Sequence, residues 1–325
     1  MTLIKKLPID AYMVLLICTV GLAVVAPVSG QAAILVSRLG SVAVALLFFL
    51  YGAKLKTQVV LAGFVNWRLQ GLILLMTYVL FPLLGLAIFR VGDAIFPHEI
   101  LVGIVYLTLL PSTIQSSIAL SAMARGNVAA SLCAASVSNL LGVVVTPLLA
   151  TLLLSTAGFV LDVRSVLSII AQIMLPFAAG QIVRPLISGW LERNKLITTV
   201  VDRGSILLIV YSAFSAGMIA GVWSKIDLPI LVALMVLAAA MLAVAIVTVR
   251  FFSKLLGFDH ADATTLLFAG IQKSLASGVP IANILFVGQA VSIILLPLML
   301  YHQMQLFVSA FLAQQHAKEL SAARP

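Results

Sequence analysis

Charge is what this chain lacks most. Only 9% of its 325 residues are Asp, Glu, Lys or Arg, against 63% hydrophobic. A water-soluble domain of this length has no way to hide that much apolar surface, so a polytopic α-helical membrane protein is implied. Alternating apolar and polar positions are also missing. The apolar runs are continuous, which excludes an outer-membrane barrel. Cysteine is nearly absent: Cys18 and Cys133 both fall in apolar runs and offer neither a disulfide framework nor zinc spacing. The four histidines, His98, His260, His302 and His316, are scattered and make no metal set. No nucleophile–base arrangement, HExxH, GxSxG or Walker motif occurs, so nothing points to an enzyme. Acidic residues number ten against nineteen basic ones, a net charge of +9. The basic residues sit between apolar runs, where they set membrane topology rather than mark a nucleic-acid surface.

What is present is a series of ten runs of about twenty residues each. They cover about 11–28, 33–53, 70–91, 99–124, 127–154, 165–187, 204–223, 228–252, 261–285 and 289–314. Lys5 and Lys6 before the first run resemble the start of a signal peptide, and Val28-Ser29-Gly30 resembles its cleavage site. We read the run as a retained first span, because the symmetry below needs it. Lys54–Gln70, with Trp67 and Arg68, reads as an interfacial piece. Ser188–Arg203, with Trp190, reads as an amphipathic helix lying on the membrane.

With the N-terminus inside, the cytoplasmic side carries Lys5, Lys6, Lys54, Lys56, Arg68, Arg125, Arg184, Arg193, Lys195, Arg203, Arg250, Lys254, Lys318 and Arg324. The outside carries Arg90, Arg164 and Lys225. Fourteen against three places both termini in the cytoplasm, with the chain in the plasma membrane (the inner membrane in a bacterium).

Two runs are interrupted by polar residues, the fourth and the ninth. Each is fourth in its own set of five, and an odd number of spans inverts the two halves. The chain therefore divides into repeats 1–154 and 155–325. Interruptions at matching positions of inverted halves point to a midplane site in a secondary transporter. The first interruption is Pro111 followed by Ser112, Thr113, Gln115, Ser116 and Ser117. Proline removes a helix hydrogen bond, and irregular backbone at membrane depth survives only in protein or along a cavity. A kink satisfied by serine back-bonding is the plainer alternative. The second is Gly270–Pro280, holding Gln272, Lys273, Ser274 and Ser277. A lysine at the bilayer centre costs about 2.5–3.5 kcal/mol even on the lenient scale, so Lys273 should face protein or water unless it snorkels to an interface. Asn127 is placed to cap the fifth span, and Ser131 and Ser138 share one face of it. His302 is a candidate proton relay or a packing histidine.

The strings Pro111–Ser117, Ala124–Ala129, Val137-Ser138-Asn139, Phe49–Gly52 and Gly270-Ile271-Gln272 together resemble the bile acid:sodium symporter family, over nearly the whole chain. The resemblance implies ten helices in two inverted five-helix repeats. It implies a panel domain from spans 1, 2, 6 and 7 and a core domain from spans 3–5 and 8–10, with two broken helices crossing in the core. From the two breaks themselves, substrate contacts are expected from Ser112, Thr113, Gln115, Ser116, Ser117, Gln272, Lys273, Ser274, Ser277, Asn283 and His302. The family's sodium-site positions fall on Thr77, Ser116, Ser117, Ser131, Phe268, Gln272 and Lys273. Phe268 stands where the family has a glutamate, Lys273 where it usually has asparagine, and Thr77 where it has glutamine. Losing a carboxylate and gaining an ammonium is a change of two charges, which opposes sodium binding in a low-dielectric site. The pattern is similar to a divergent branch in which the Lys273 ammonium takes the place of sodium.

The expected function is alternating-access transport of a small organic anion. The expected setting is a lipid bilayer, with no nucleic acid and no implied oligomer. No resident cofactor is expected, and sodium or a proton is the candidate coupling ion, since a buried lysine can exchange its proton. Ordinary sodium-coupled symport and a non-transporting membrane regulator are the alternatives.

Overall fold

The computed structural model describes residues 11–54, 66–155, 163–221, 226–286 and 290–322. Lys5, Lys6, Lys56, Lys225 and Arg324, used above for topology, lie outside the described residues, as does most of the interfacial piece, 55–65. The described residues are helical and contain no strand. The helices are α1 (Ala11–Val25), α2 (Gly30–Lys54), α3 (Trp67–Leu75), α4 (Phe81–Val91), α5 (His98–Thr108), α6 (Ile114–Met123) and α7 (Val128–Ser155). They continue with α8 (Val163–Arg193), α9 (Lys195–Ile219), α10 (Leu228–Leu255), α11 (His260–Gly270), α12 (Leu275–Leu285) and α13 (Val291–Ala322). Among the described residues, six segments are long and apolar enough to cross a membrane: Gly30–Lys54, Trp67–Ala94, Val128–Leu154, Lys195–Ile219, Leu228–Leu255 and Val291–Ala317.

The polarity of the fold is that of a protein dissolved in lipid. Leu15, Ile17 and Val25 on α1, Leu175, Ile182 and Leu186 on α8, and Val236, Val247 and Phe251 on α10 are exposed. Ser112, Ser117, Gln272, Lys273 and Gln305 are buried. Hydrocarbon tails solvate the apolar faces, so the polar side chains turn inward to find partners.

The expected interruptions occur where the sequence placed them. α5 and α6 are separated by 109–113, and α11 and α12 by 271–274. A third distortion was not foreseen: Met76–Leu80 forms a π-helical turn between α3 and α4. The surface-helix reading of Ser188–Arg203 is corrected. α8 runs on to Arg193 and α9 starts at Lys195, so this stretch is the meeting end of two long helices around Asn194.

The chain divides into two compact units. One comprises Met1–Lys56, Val143–Asp227 and Ala276–Leu296. In it α2 packs along α8 and α9, and α1 packs on α9. The α2–α8 approach is backbone to backbone. A Cβ on Gly52 would overlap the Phe177 carbonyl, and one on Gly180 would overlap the Phe49 carbonyl, so only glycine permits it. Within α12 of the same unit, Pro280 cannot donate to the Ala276 carbonyl, and the Tyr51 hydroxyl lies 3.5 Å from that oxygen.

The other unit comprises Thr57–Gly142, Leu228–Leu275 and Pro297–Pro325. Here α4 packs on α5, and α11 packs on α3, α6 and α10. The end of α6 ties to the start of α11. Asn66 and Asn127 each donate a side-chain N–H to the Asp262 carboxylate at 2.9 Å. The Asn127 N–H donates to the Ala261 carbonyl at 3.1 Å. Asn127 also accepts from the Ala130 N–H at 3.0 Å, which is the expected N-cap of α7.

Candidate functional site

Prolines prepare the centre of this second unit by leaving carbonyls without partners. In the π turn the Phe81 N–H reaches back to Met76, and the next residue, Pro82, has no N–H. The Thr77 carbonyl thus loses both of its helical donors. At the end of α5, Pro111 cannot serve the Thr108 carbonyl, and the Ser112 N–H is diverted to Ser138 Oγ at 3.0 Å. The chain then leaves the helix, with Thr113 extended, and the Leu110 carbonyl is freed as well. Buried orphan carbonyls cost about 1–3 kcal/mol each.

Lys273 collects all three. Its Nζ donates to the carbonyls of Thr77 at 2.9 Å, Thr108 at 2.8 Å and Leu110 at 2.9 Å. An ammonium has three donors, and all are used inside the protein. The side chain is 0% exposed, and Nζ lies 4.3 Å from the centre of the Phe81 ring. Two of the three carbonyls cluster at the C-terminus of α5, the negative end of its dipole, which favours a cation there. The Phe81 face adds cation–π attraction.

The backbone of Lys273 is held as firmly. Gln305 accepts from its N–H at 2.8 Å and donates to its carbonyl at 2.8 Å, a two-point amide pairing. The Thr113 hydroxyl donates to the same carbonyl at 3.4 Å. His302 Nδ1 lies 3.2 Å from that carbonyl oxygen and 2.8 Å from Gln305 Nε2. The two breaks touch directly, with the Ser274 N–H donating to the Pro111 carbonyl at 2.9 Å. The Tyr301 hydroxyl donates to Ile271 at 2.8 Å. Asn139 donates to Ser112 at 2.6 Å.

Beside this knot lies a second polar group. The Ser112 hydroxyl donates to Ala269 at 2.6 Å and the Ser117 hydroxyl to Phe268 at 3.2 Å. Ser116 donates to Gln272 Oε1, and Ser117 Oγ lies 3.4 Å from the same oxygen. Gln272 Nε2 is buried without a hydrogen-bond partner. The N-terminus of α6 has no side-chain cap, because Thr113 is turned to Lys273.

Ser112, Thr113, Ser116, Ser117, Gln272, Lys273, Ser274 and His302 therefore meet around the breaks. Gln115 points outward and is exposed. Ser277, buried, and Asn283, half-buried, belong to α12 of the first unit. Thr77 contributes its carbonyl, while its hydroxyl bonds back to Ile73 at 2.8 Å. Phe268 is buried and brings no carboxylate, only its backbone oxygen. Ser138 faces the break, whereas Ser131 pairs with Ser121 at 3.2 Å. Phe81 and the Asp262 node were not among the sequence candidates. Pro82, five residues after Thr77, was the available signal for the π turn.

Discontinuous apolar helices that meet at buried polar breaks define a membrane transporter rather than an enzyme. Residues 10–318 match the family described as the SBF-like CPA transporter family, and the chain belongs to it. It is 46% identical over 310 residues to the uncharacterised protein PA2026 of Pseudomonas aeruginosa, covering 95% of this chain and 93% of that one. It is 40% identical over 311 residues to the "Putative symporter YfeH" of Escherichia coli, covering 96% and 94%. It is 30% identical over 279 residues to the sodium/bile acid cotransporter 7 of Mus musculus, covering 83% and 81%.

Proposed function

We propose that the chain is a secondary transporter that moves a small organic anion by alternating access, with the Lys273 ammonium fixed where family members carry a coupling cation. The observation that carries this reading is the cage of three carbonyls around Lys273 Nζ. Carbonyl cages are how proteins replace the hydration shell of a metal cation. Here the cage is filled by a group that cannot leave. Lys273 then acts as a structural cation rather than a substrate ligand. The anion is taken instead by neutral donors, the unpartnered Gln272 Nε2 and the uncapped start of α6, beside the serines at 112, 116 and 117. Ser274 and His302 complete the proposed lining. Ten spans in inverted halves, a panel and a core, and two cytoplasmic termini remain parts of this proposal.

The name of YfeH favours symport, and that of cotransporter 7 favours a second reading, symport driven by sodium. One experiment separates them. Purified protein is screened for thermal stabilisation by a panel of organic anions, with and without sodium, and hits are tested for uptake in vesicles. The proposed reading expects at least one anion to stabilise the wild type equally in sodium and in a large organic cation. Stabilisation that needs sodium would return the chain to ordinary symport. A panel with no binder, joined to normal folding, would support a non-transporting regulator.

A further inference from the structure

The first unit contains a cavity of about 190 Å³ where the ends of α2, α8 and α9 meet. Its polar walls are Lys54, Arg184, Ser188, Glu192, Lys195 and Thr198, over a floor of Ala53 and Leu191. Three cations face one carboxylate, so the pocket is net positive. Arg184 Nε is buried and has no hydrogen-bond partner. Asn194, at the junction of α8 and α9, turns its side chain back to the Trp190 carbonyl at 2.9 Å. It therefore leaves the first turn of α9 without a side-chain cap. Among the described residues, a guanidinium and two ammonium groups line this pocket, and Glu192 is its one acidic wall. That donor set fits a phosphate.

Depth identifies the source of the phosphate. Trp190, 48% exposed, sits on α8 beside the pocket residues, and tryptophan concentrates at the headgroup level. Ile182 and Leu186, on another face of the same helix end, are exposed and must meet acyl chains. The volume corresponds to roughly six waters, enough for a phosphodiester with its first shell. We propose that Lys54, Arg184 and Lys195 form a headgroup site for an anionic phospholipid. The site is separate from the Lys273 centre and does not depend on what that centre transports. Basic pockets between membrane helices are a recurrent way to hold such lipids.

The test uses the full chain in neutral detergent, titrated with dihexanoylphosphatidylglycerol, dihexanoylphosphatidylcholine or inorganic phosphate, and read by native mass spectrometry. Phosphatidylglycerol should bind at least tenfold tighter than phosphatidylcholine. Arg184→Gln with Lys195→Gln should weaken it at least tenfold, whereas Lys254→Gln, a basic change elsewhere, should leave it unchanged. Lys195 is exposed, so the single Lys195→Gln variant keeps the test valid should the Arg184 change impair folding. Equal binding of the two lipids, or retention of phosphatidylglycerol by the variants, overturns the proposal. Inorganic phosphate that binds as tightly as phosphatidylglycerol and displaces it overturns the lipid source and leaves a soluble phosphate site.

Discussion

Removing the Lys273 ammonium should cost stability in a way that sodium can repair only when there is room for it. Lys273→Ala deprives three buried carbonyls, those of Thr77, Thr108 and Leu110, of their donors. At about 1–3 kcal/mol each, with water entering the vacated space to satisfy some of them, the expected loss is about 3–5 kcal/mol. Lys273→Met removes the same donors but keeps most of the stem volume. Both should fall in thermal midpoint, followed by tryptophan fluorescence in detergent. The alanine variant recreates an oxygen-lined space of the kind sodium occupies. Sodium at about 100 times its dissociation constant would then restore about 2.7 kcal/mol. The methionine variant leaves no such space and should gain nothing, and the wild type should be indifferent to sodium. The reasoning is refuted by stabilisation of the wild type by sodium, by equal rescue of both variants, or by an alanine variant within about 1 kcal/mol of the wild type.

Gln305→Leu should cost about 2–4 kcal/mol, because it strips the N–H of Lys273 of its side-chain partner and the carbonyl of its shortest side-chain hydrogen bond; a midpoint unchanged from the wild type would refute the two-point pairing. Gly52→Ala and Gly180→Ala should each lower the midpoint or abolish folded yield. The added methyl meets a backbone oxygen that cannot rotate away, at a cost of about 1–3 kcal/mol or more, measured by size-exclusion yield and thermal melts. Asp262→Asn turns an acceptor for two amide donors into a partial donor and should cost about 1–3 kcal/mol, while Asp93→Asn, in a short exposed turn, should have no effect in the same melt. Gln272→Leu should spare folding more than Gln305→Leu does, since Nε2 holds nothing in the protein and only the Oε1 acceptor of Ser116 and Ser117 is lost, yet it should weaken anion-induced stabilisation; retained anion response would remove Gln272 from the proposed lining.

Much of the centre was legible because proline and charge are loud in an apolar sequence. Pro111 with its polar followers marked one break, and Lys273 among small residues marked the other. Asn127 announced its cap. Ser138 was legible as a face-sharing serine, but its equal, Ser131, was not separable from it by periodicity alone. Only the fold shows that one meets Ser112 and the other Ser121. The π turn escaped because periodicity over 70–91 is unbroken in hydrophobicity. A π turn changes hydrogen bonding without changing which residues are apolar. Asp262 escaped because its partners are amides far away in sequence, which no local pattern encodes. The junction at Asn194 was misread because a charged helix end and a surface helix share one composition.

Lys273 also shows how a membrane core can hold a charge with no carboxylate bonded to it. Its compensation is distributed over three carbonyls, the C-terminal dipole of α5 and one aromatic face. Two of those carbonyls are available only because Pro82 and Pro111 lack N–H groups, and the third because the chain leaves the helix after Pro111. The charge and the breaks are thus mutually dependent: without the prolines the lysine has no ligands, and without the lysine the breaks carry orphan oxygens. On the proposed reading this has a direct energetic consequence. A coupling cation delivers work by binding on one side of the membrane and dissociating on the other. A cation tethered to the backbone does neither, so a sodium gradient has nothing to act on at this centre. Transport through it should run down the gradient of the anion itself, or draw on protons, and counterflow of labelled anion in vesicles should proceed at the same rate with sodium replaced by a large organic cation.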